Sequence, residues 1–400
     1  MRLAVVLTHP IQYFAPLFRV LAAEPGLELT VYYGSGRGTT TPGFDPGFGK
    51  AFTWDVPLLE GYRYKFLQGV RRDDSSLSPT RQVNPSIVKE ISRSRYDAIV
   101  VHGYTENTYL LAMLTAFVKR VPILMRGDSH LRREPLPSAK RLAKAAALRA
   151  LFSQVAGFLC IGTLNMEYYR YFGVPETRLF YCPYSVDNEF FRRYAGAPES
   201  RRLEIRARWG IHDDTPVILF AGKLLAHKQP LLLLEAYRRV RQAHRCALLL
   251  AGDGPLRGEI ESKVEKAAIP DVHITGFLNQ TEMPHAYAAA DLFVLPSRSE
   301  PWGLVVNEAM NFSLPIIASD RVGCGPDLVQ PGVNGEVFDH RSVNALESVL
   351  GRLIGQPARL SALGHASLKI IQGWGLRETA KGITAAAEAV THTLVGSAAA

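Results

Sequence analysis

Two carboxylates and the loop between them form the strongest candidate site in the chain. Glu300 precedes Pro301-Trp302-Gly303, and Glu308 follows after seven intervening residues, inside a helix that is predicted to begin near Leu304. The apolar run just upstream, 292–295, is typical of a buried parallel strand, and open α/β sheets bind ligands beyond the carboxyl ends of their strands. Because the N–H groups at a helix start attract phosphate, the pattern favours a nucleotide-sugar whose hydroxyls reach the carboxylates. Two solvated glutamates at a helix start are the alternative.

Two lysines precede another predicted helix. Lys223 follows the apolar run 217–221 and Gly222, and Lys228 stands five residues later, just before the helical pattern 230–243. Cations in such a loop can offset the charge that develops on a diphosphate leaving group. Two exposed lysines without a ligand are the alternative. The turn Gly252-Asp253-Gly254, after the apolar run 247–251, is a weaker candidate for the same ligand.

The N-terminal half carries polar side chains after predicted strands. His102 follows the apolar run 98–101, and Arg126, with Asp128 two residues later, ends the run 123–126. Since parallel strands present such residues at one edge of a sheet, Asp128 can hold or deprotonate an acceptor hydroxyl there. Asp128 as a helix cap, and His102 as a structural residue, remain open. The residues predicted for the acceptor side are His9, Gln12, Tyr13, Arg126 and Asp128.

The elements that must position these residues alternate between strand and helix, which predicts parallel sheets. A length of 400 residues fits two domains. We predict an N-terminal domain over 1–188, a linker and helix over 189–215, a C-terminal domain over 216–372 and a final helix over 373–394 that crosses back to the first domain. Residues 34–85 are rich in Gly, Pro, Asp and aromatic residues, and such long loops often form the rim of a binding site. Within them, the stretches 44–57, FDPGFGKAFTWDVP, and 61–67, GYRYKFL, are predicted to form short strands and loops.

Charge and composition limit the partners and the compartment. Residues 1–200 carry a net charge of +8 and residues 201–400 a net charge of +1, so the first half favours an anionic partner. The basic amphipathic pattern over 138–158 favours contact with an anionic membrane surface, although a solvated domain helix fits equally well. No apolar run is long enough for a membrane span or a signal peptide, and the four cysteines are scattered. We therefore expect a cytoplasmic protein that contacts the inner face of the membrane.

The stretch 291–339 resembles the signature of glycosyltransferase family 4. The matching pattern is Glu300, seven residues, Glu308, followed by the loop GCGPDLVQPGVNG, and the resemblance is strongest from 217 to 339. It implies an α/β GT-B fold, with two Rossmann-like domains that face each other across a cleft. It also implies transfer of a hexose with retained configuration, without a cofactor or a metal ion.

The resemblance implies roles for individual residues. Glu300 would hold the sugar and Glu308 the ribose, while His102 would contact the sugar near the reacting carbon. The other residues predicted to bind the donor are Gly222, Lys223, Lys228, Asp253, Gly254, Phe277, Leu278, Gly303, Leu304 and Val305. Lys223 replaces the arginine that is usual in the family, and lysine keeps the charge but not the two-pronged contact. His9-Pro10 replaces the paired glycines that often follow the first strand.

These observations predict a retaining glycosyltransferase of bacterial surface glycan synthesis. Family frequency favours a UDP-sugar donor, and the basic half favours a saccharide or a lipid-linked saccharide as acceptor. A dinucleotide-dependent oxidoreductase is excluded, because neither half has G-x-G-x-x-G after its first strand. A non-catalytic protein that binds nucleotide-sugars or nucleic acid remains the alternative. We expect no nucleic-acid partner, because the chain has no basic-aromatic recognition motif.

Overall fold

The computed structural model of the chain describes residues 1–39, 42–69, 83–132, 138–195, 199–211 and 214–398. Contacts between residues divide the chain into two α/β units. The N-terminal unit comprises Met1–Gly43, Pro57–Tyr184 and Leu376–Ala400, and the C-terminal unit comprises Phe44–Val56 and Ser185–Gly375. Each unit is built around its own parallel sheet, as the alternation of strands and helices predicts.

In the described part of the N-terminal unit, a seven-stranded sheet has the order β5-β2-β1-β6-β7-β8-β9. Its central strands are apolar and buried almost throughout, because helices cover both faces of a parallel sheet, whereas its two edge strands are more exposed. The strands are β1 (Arg2–Leu7), β2 (Glu28–Tyr33), β5 (Tyr64–Phe66), β6 (Ala98–His102), β7 (Ile123–Arg126), β8 (Gly157–Cys160) and β9 (Leu179–Tyr181). The helices are α1 (Phe14–Ala22), α2 (Ser86–Arg93), α3 (Asn107–Val118), α4 (Ser138–Ser153), α5 (Thr163–Tyr171) and α15 (Leu376–Ala398).

In the described part of the C-terminal unit, a six-stranded sheet has the order β12-β11-β10-β13-β14-β15. The strands are β10 (Val217–Ala221), β11 (Ala247–Ala251), β12 (Val272–Gly276), β13 (Leu292–Leu295), β14 (Ile316–Ser319) and β15 (Gly335–Phe338). The helices are α6 (Asn188–Arg192), α7 (Glu199–Ala207), α8 (Pro230–Ala243), α9 (Arg257–Lys266), α10 (Met283–Ala289), α11 (Leu304–Met310), α12 (Gly325–Leu328), α13 (Val343–Ile354) and α14 (Pro357–Ile371). A short two-stranded sheet pairs β3 (Gly43–Asp45) with β4 (Lys50–Phe52).

The strand order of each sheet reverses at one point, and there the candidate residues gather. In the N-terminal unit the reversal lies between β1 and β6, and in the C-terminal unit it lies between β10 and β13. The loops that leave two such neighbouring strands run in opposite directions, so a crevice opens at their carboxyl ends. His9 follows β1 and His102 is the last residue of β6, whereas Lys223 and Glu300 follow β10 and β13.

The division of the chain differs from the predicted domains at two places. Residues 189–215, predicted as a linker and helix, lie within the C-terminal unit. There Arg206 of α7 is 1% exposed, and it donates hydrogen bonds to Asp291 and to the Ala289 carbonyl. Residues 44–56 also lie in the C-terminal unit, although the chain around them belongs to the N-terminal unit. Their contacts there are long-range, so local sequence patterns cannot reveal this assignment.

Helix α15 packs into the N-terminal unit. Its buried residues Ala380, Ile383 and Ala387 share one apolar core with the strand residues Val5 and Val100. Among the described residues, no helix combines the length and the apolar character that crossing a bilayer requires.

Candidate functional site

The loops after β10 and β13 bring a lysine and a glutamate into direct contact. Lys228 Nζ forms an ion pair with Glu300 Oε2, and the side chains are 19% and 9% exposed, respectively. The Ser297 hydroxyl donates a further hydrogen bond to the same Glu300 oxygen, at 3.3 Å. A largely buried ion pair needs such additional hydrogen bonds to offset the loss of solvation. The two oppositely charged groups therefore lie together at the reversal point of the C-terminal sheet.

Lys223, Lys228 and Glu300 all act electrostatically on the His227 side chain. Burial lowers the pKa of His227, and repulsion from Lys228, Arg298 and Lys223 lowers it further, while Glu300 opposes the shift. Lys223 itself pairs with Asp45, whose carboxylate Oδ2 lies 2.9 Å from Lys223 Nζ. Lys223, Lys228 and Glu300, which the sequence predicts for one ligand, are thus brought together.

The loop from Glu300 to α11 is fixed by backbone contacts. The Glu300 carbonyl accepts a hydrogen bond from the Gly323 N–H at 3.0 Å, and the Trp302 carbonyl accepts one from the Cys324 N–H at 2.9 Å. Gly303 has a left-handed φ of +97°, which L side chains rarely adopt, and it directly precedes the half-buried Leu304 and Val305. Glycine is therefore required where the chain turns into α11.

Glu308 occupies a different environment from Glu300. It is 2% exposed, and the Tyr287 hydroxyl of α10 donates a hydrogen bond to its Oε2 at 2.6 Å. Glu308 lies on α11, the helix that follows the Glu300 loop. The hydrogen bond from the buried Tyr287 phenol orients its carboxylate. Its predicted contact with a ribose stays a prediction.

The loops after β10 and β11 are joined by hydrogen bonds. The Gly222 N–H donates to the Ala251 carbonyl and the Leu224 N–H to the Asp253 carbonyl, both at 2.9 Å. A Cβ on Gly254 would lie 2.9 Å from the Leu224 backbone, so only glycine fits at this contact. The Asp253 side chain accepts from the Gly254 N–H at 2.9 Å and from Arg257 at 3.4 Å. The structure thus places Gly222, Lys223, Asp253 and Gly254 on adjoining loops.

The segment Phe44–Val56 lies on these loops, and the sequence does not predict this placement. Its Asp45 pairs with Lys223, and Lys223 Nζ lies 5.0 Å from the centre of the Phe48 ring. Burial raises the pKa of Asp45, because it disfavours the charged carboxylate. The hydrogen bond and the attraction to Lys223 outweigh burial, so the pKa of Asp45 lies below its usual value. The only signal in the sequence is the length and composition of this loop, which indicate a rim but not its partner.

The same segment packs against Phe277, one of the residues predicted to bind the donor. The rings of Phe48 and Phe52 lie 4.9 and 4.5 Å from the Phe277 ring, measured between centroids. Just beyond Leu278, Asn279 donates to the Thr53 carbonyl at 2.8 Å, and the Thr281 hydroxyl donates to Asp55. The segment is therefore held at both ends, by an ion pair at Lys223 and by hydrogen bonds near Thr281.

In the N-terminal unit, His102 and Arg126 are partners in register at the ends of β6 and β7. Burial and the nearby Arg126 lower the pKa of His102 to about 3, so its imidazole is neutral at neutral pH. The centroids of the His102 and Phe14 rings lie 4.6 Å apart, in an edge-to-face arrangement. The Arg126 guanidinium lies 5.2 Å from the centre of the Tyr184 ring. A neutral imidazole can hydrogen-bond a hydroxyl, as the predicted role requires.

The other residues predicted for the acceptor are more exposed. Asp128 is exposed, two residues beyond β7, and His9, Gln12 and Tyr13 are half-buried between β1 and α1. The Thr8 Oγ1 and His9 Nδ1 atoms lie 2.9 Å apart, so the side chain of His9 is oriented locally. The structure places all of them in the N-terminal unit, and their roles stay predictions.

One group of side chains has the spacing of metal ligands. The ligand atoms of Asp320, Asp339 and His340 all lie within 4.8 Å of one another, after β14 and β15. Asp339 is already paired with Arg341 at 2.9 Å, and that pairing lowers the Asp339 pKa. The prediction that the reaction needs no metal ion does not depend on this group and stays a prediction.

Comparison with known proteins identifies related sequences and folds. Residues 201–369 match the family described as Glycosyl transferases group 1. The alpha-D-kanosaminyltransferase of Streptomyces kanamyceticus is 28% identical over 268 residues, which are 64% of this chain and 68% of that protein. A GDP-mannose-dependent alpha-(1-6)-phosphatidylinositol monomannoside mannosyltransferase of Mycolicibacterium smegmatis is 29% identical over 201 residues, which are 48% of this chain and 51% of that protein.

A solved structure matches nearly the whole chain. The crystal structure of the Anabaena protein HepE in complex with UDP and glucose has a TM-score of 0.72 and 17% identity, over 96% of this chain and 98% of that one. This likeness and the two Rossmann-like units confirm the predicted α/β GT-B fold. The match over residues 201–369 confirms the predicted resemblance to the glycosyltransferases.

Proposed function

We propose that this enzyme transfers a sugar from a nucleotide-diphosphate sugar with retained configuration, because residues 201–369 match the family described as Glycosyl transferases group 1. One observation carries the proposal above all others. The buried Lys228–Glu300 pair stands where the C-terminal sheet reverses its strand order, and Lys223 acts on the same local field. Cations and a hydrogen-bond acceptor at such a point match a molecule with a diphosphate beside a sugar.

In this proposal the C-terminal unit binds the donor. Lys223 and Lys228 contact the diphosphate, with the N–H groups near Gly303 to Val305, and Glu300 accepts hydrogen bonds from the sugar. Glu308 receives the ribose, and the Phe277 and Leu278 backbone reads the base. Gly222 and the Asp253-Gly254 turn let the nucleotide approach the strand ends, because glycine leaves the backbone open.

The proposed step needs no covalent enzyme intermediate. The bond between the anomeric carbon and the phosphate oxygen breaks, and its electron pair stays on the diphosphate. The acceptor oxygen then bonds to the anomeric carbon on the face that the diphosphate vacates, and its proton passes to a diphosphate oxygen. Lys223 and Lys228 stabilise the negative charge that develops on the leaving group. Because the lysines supply this positive charge, the proposed step does not require a metal ion.

A uridine donor and a saccharide or lipid-linked saccharide acceptor complete the proposal. The HepE structure is a complex with UDP and glucose, which supports a uridine nucleotide in the donor. The M. smegmatis relative, by contrast, is a GDP-mannose-dependent enzyme. The excess positive charge of residues 1–200 supports an acceptor at an anionic surface, as in the synthesis of bacterial surface glycans.

A thermal-shift screen against UDP-, GDP- and ADP-sugars tests the proposed function. We expect UDP-sugars to raise the melting temperature in a saturable way, because a ligand that binds only the native state stabilises it. Release of UDP should then require an added saccharide acceptor. A protein that binds RNA in a salt-sensitive manner, with no shift from any nucleotide-sugar, would contradict the proposal.

We expect Asp45→Asn to tighten UDP binding by about two- to fivefold, measured by calorimetry. The reason is that Asp45 forms an ion pair with Lys223, which the diphosphate would contact. The range follows from the modest strength of partly exposed ion pairs. Asp55→Asn is the matched control, since it loosens the other end of the same segment without changing the charge at Lys223. Weaker UDP binding in Asp45→Asn would show that the carboxylate assists the donor.

A further inference from the structure

Arg126 is a buried cation that forms no ion pair with any of the residues that the structure describes. It is 3% exposed at the end of β7, and its buried Nη1 has no hydrogen-bond partner among the described residues. A charged group removed from water is normally paired or fully hydrogen-bonded, because its desolvation costs several kcal/mol. The nearby Asp128 is exposed, and within the described ranges no carboxylate is among the main causes of the shift of the Arg126 pKa.

Arg206 in the other unit shows how this chain satisfies a buried arginine. Arg206 is 1% exposed, yet it donates to the Asp291 carboxylate at 2.7 Å and to the Ala289 and Thr215 carbonyls. Both arginines stand beside a parallel sheet, so burial alone does not explain the difference. The Arg206 guanidinium donates to carboxylate and carbonyl oxygens, whereas Arg126 Nη1 has no such acceptor among the described residues.

The groups around Arg126 are neutral near neutral pH. Burial lowers the pKa of Arg126, while burial raises the pKa of Cys182 and of Tyr184 to about 12, so neither side chain carries a negative charge. His102, its partner in register, is neutral as well. Cys182, Tyr184 and His102 therefore do not neutralise the positive charge of Arg126.

The geometry leaves a direction from which a ligand can approach. The Arg126 Cζ atom lies over the Tyr184 ring, 5.2 Å from its centre, and a guanidinium packed on an aromatic face can still donate hydrogen bonds from its edge. Gly103, next to His102, has a left-handed φ of +94°, and a Cβ built there would meet no described heavy atom within 4 Å. The carboxyl end of β6 beside Arg126 therefore borders open space.

We propose that Arg126 binds an oxyanion of the acceptor, a phosphate or a carboxylate, through the N–H edge of its guanidinium. The inference rests on the proposed function, because it names the chemical class of the substrate that receives the sugar. A planar guanidinium fits both oxyanions with two parallel hydrogen bonds. The donor's charge is matched instead by Lys223 and Lys228 of the C-terminal unit, which leaves the acceptor as the ligand for Arg126.

Phosphate, sulfate and acetate, each against chloride at equal ionic strength, are the probes that test this site. We expect phosphate to raise the melting temperature of the wild-type protein in a saturable way, and Arg126→Leu to weaken its binding about tenfold or more. Arg126→Lys keeps the charge but loses the fork, so it should bind phosphate with intermediate affinity. Arg149→Gln, an exposed arginine of α4, is the control for lost charge and should not change phosphate binding.

Stability in phosphate-free buffer separates a ligand site from a structural role. An unpaired buried cation costs stability, so Arg126→Leu should melt at a higher temperature than the wild type in that buffer. A lower melting temperature in Arg126→Leu, with no phosphate effect on the wild type, would overturn the proposal. If instead Arg126→Leu loses UDP affinity and phosphate binds both proteins equally, the anion belongs to the donor and the proposal is also wrong.

The failure of this inference and the failure of the proposed function are distinguishable. Absence of binding by every nucleotide-sugar would defeat the proposed function, and the phosphate measurements would still report on Arg126. Conversely, unchanged UDP binding together with an absent phosphate effect would defeat only the acceptor assignment.

Discussion

Lys228→Ala should lower kcat for sugar transfer by about 10²–10³-fold, the usual cost of losing one preorganised group that stabilises a leaving oxyanion. Lys228 is the less exposed of the two predicted lysines and contacts Glu300 directly. The substitution therefore removes a cation from the place where the diphosphate is proposed to gain charge. Initial rates of UDP release, with saturating donor and acceptor, measure the loss.

A second set of variants separates catalysis from folding. Lys228→Ala leaves the buried Glu300 unpaired, which costs about 3–5 kcal/mol of unfolding free energy when one partner of a buried pair is removed. The double variant Lys228→Met with Glu300→Gln removes both charges, so we expect it to recover stability without recovering transfer. Lys266→Ala, an exposed lysine of α9, should have neither effect. A folded Lys228→Ala enzyme with wild-type kcat would refute the assignment of Lys228.

Glu308→Ala should abolish the donor-induced thermal shift, because it removes the carboxylate that is proposed to receive the ribose hydroxyls. Hydrogen bonds to a charged group are worth about 1.5–3 kcal/mol, so the donor Kd should rise about 10- to 100-fold. Calorimetric titration with UDP, on protein that remains folded at the start of the experiment, measures the change.

Tyr287→Phe is the matched control for Glu308. It removes the phenol hydroxyl that donates to Glu308 Oε2 but leaves the carboxylate, so we expect a loss of stability with only a small change in Kd. Glu308→Gln keeps the size of the side chain and tests the charge alone. If both variants lose stability to the same extent and bind UDP like the wild type, Glu308 serves only the packing of α10 and α11.

Much of the fold can be predicted from local patterns. Apolar runs such as 217–221 and 247–251 have the length and composition of strands buried on both faces, and the structure contains strands there. The Glu300–Glu308 spacing is equally local, because both residues belong to one loop and the helix that follows it. These features depend on neighbours along the chain, which is the information that periodicity and motif spacing contain.

Contacts between distant residues could not be predicted in this way. The pairing of Asp45 with Lys223 joins a loop of the first half to a loop of the second. The predicted rim over 44–57 carries no pattern that identifies its partner, because an ion pair needs only one carboxylate and one ammonium group brought close by the fold.

By itself, the sequence determined the resemblance to glycosyltransferases, the alternation of strands and helices, and the residue types that are proposed to contact a nucleotide-sugar. Only the tertiary structure decided that Lys228 contacts Glu300, that Asp45 of the segment 44–56 pairs with Lys223, and that the buried Arg126 Nη1 has no hydrogen-bond partner among the described residues. The physical reason is that burial and electrostatic environment depend on every element packed around a group. A motif specifies which groups are present, whereas the packing of the chain sets how each of them is solvated, paired and charged.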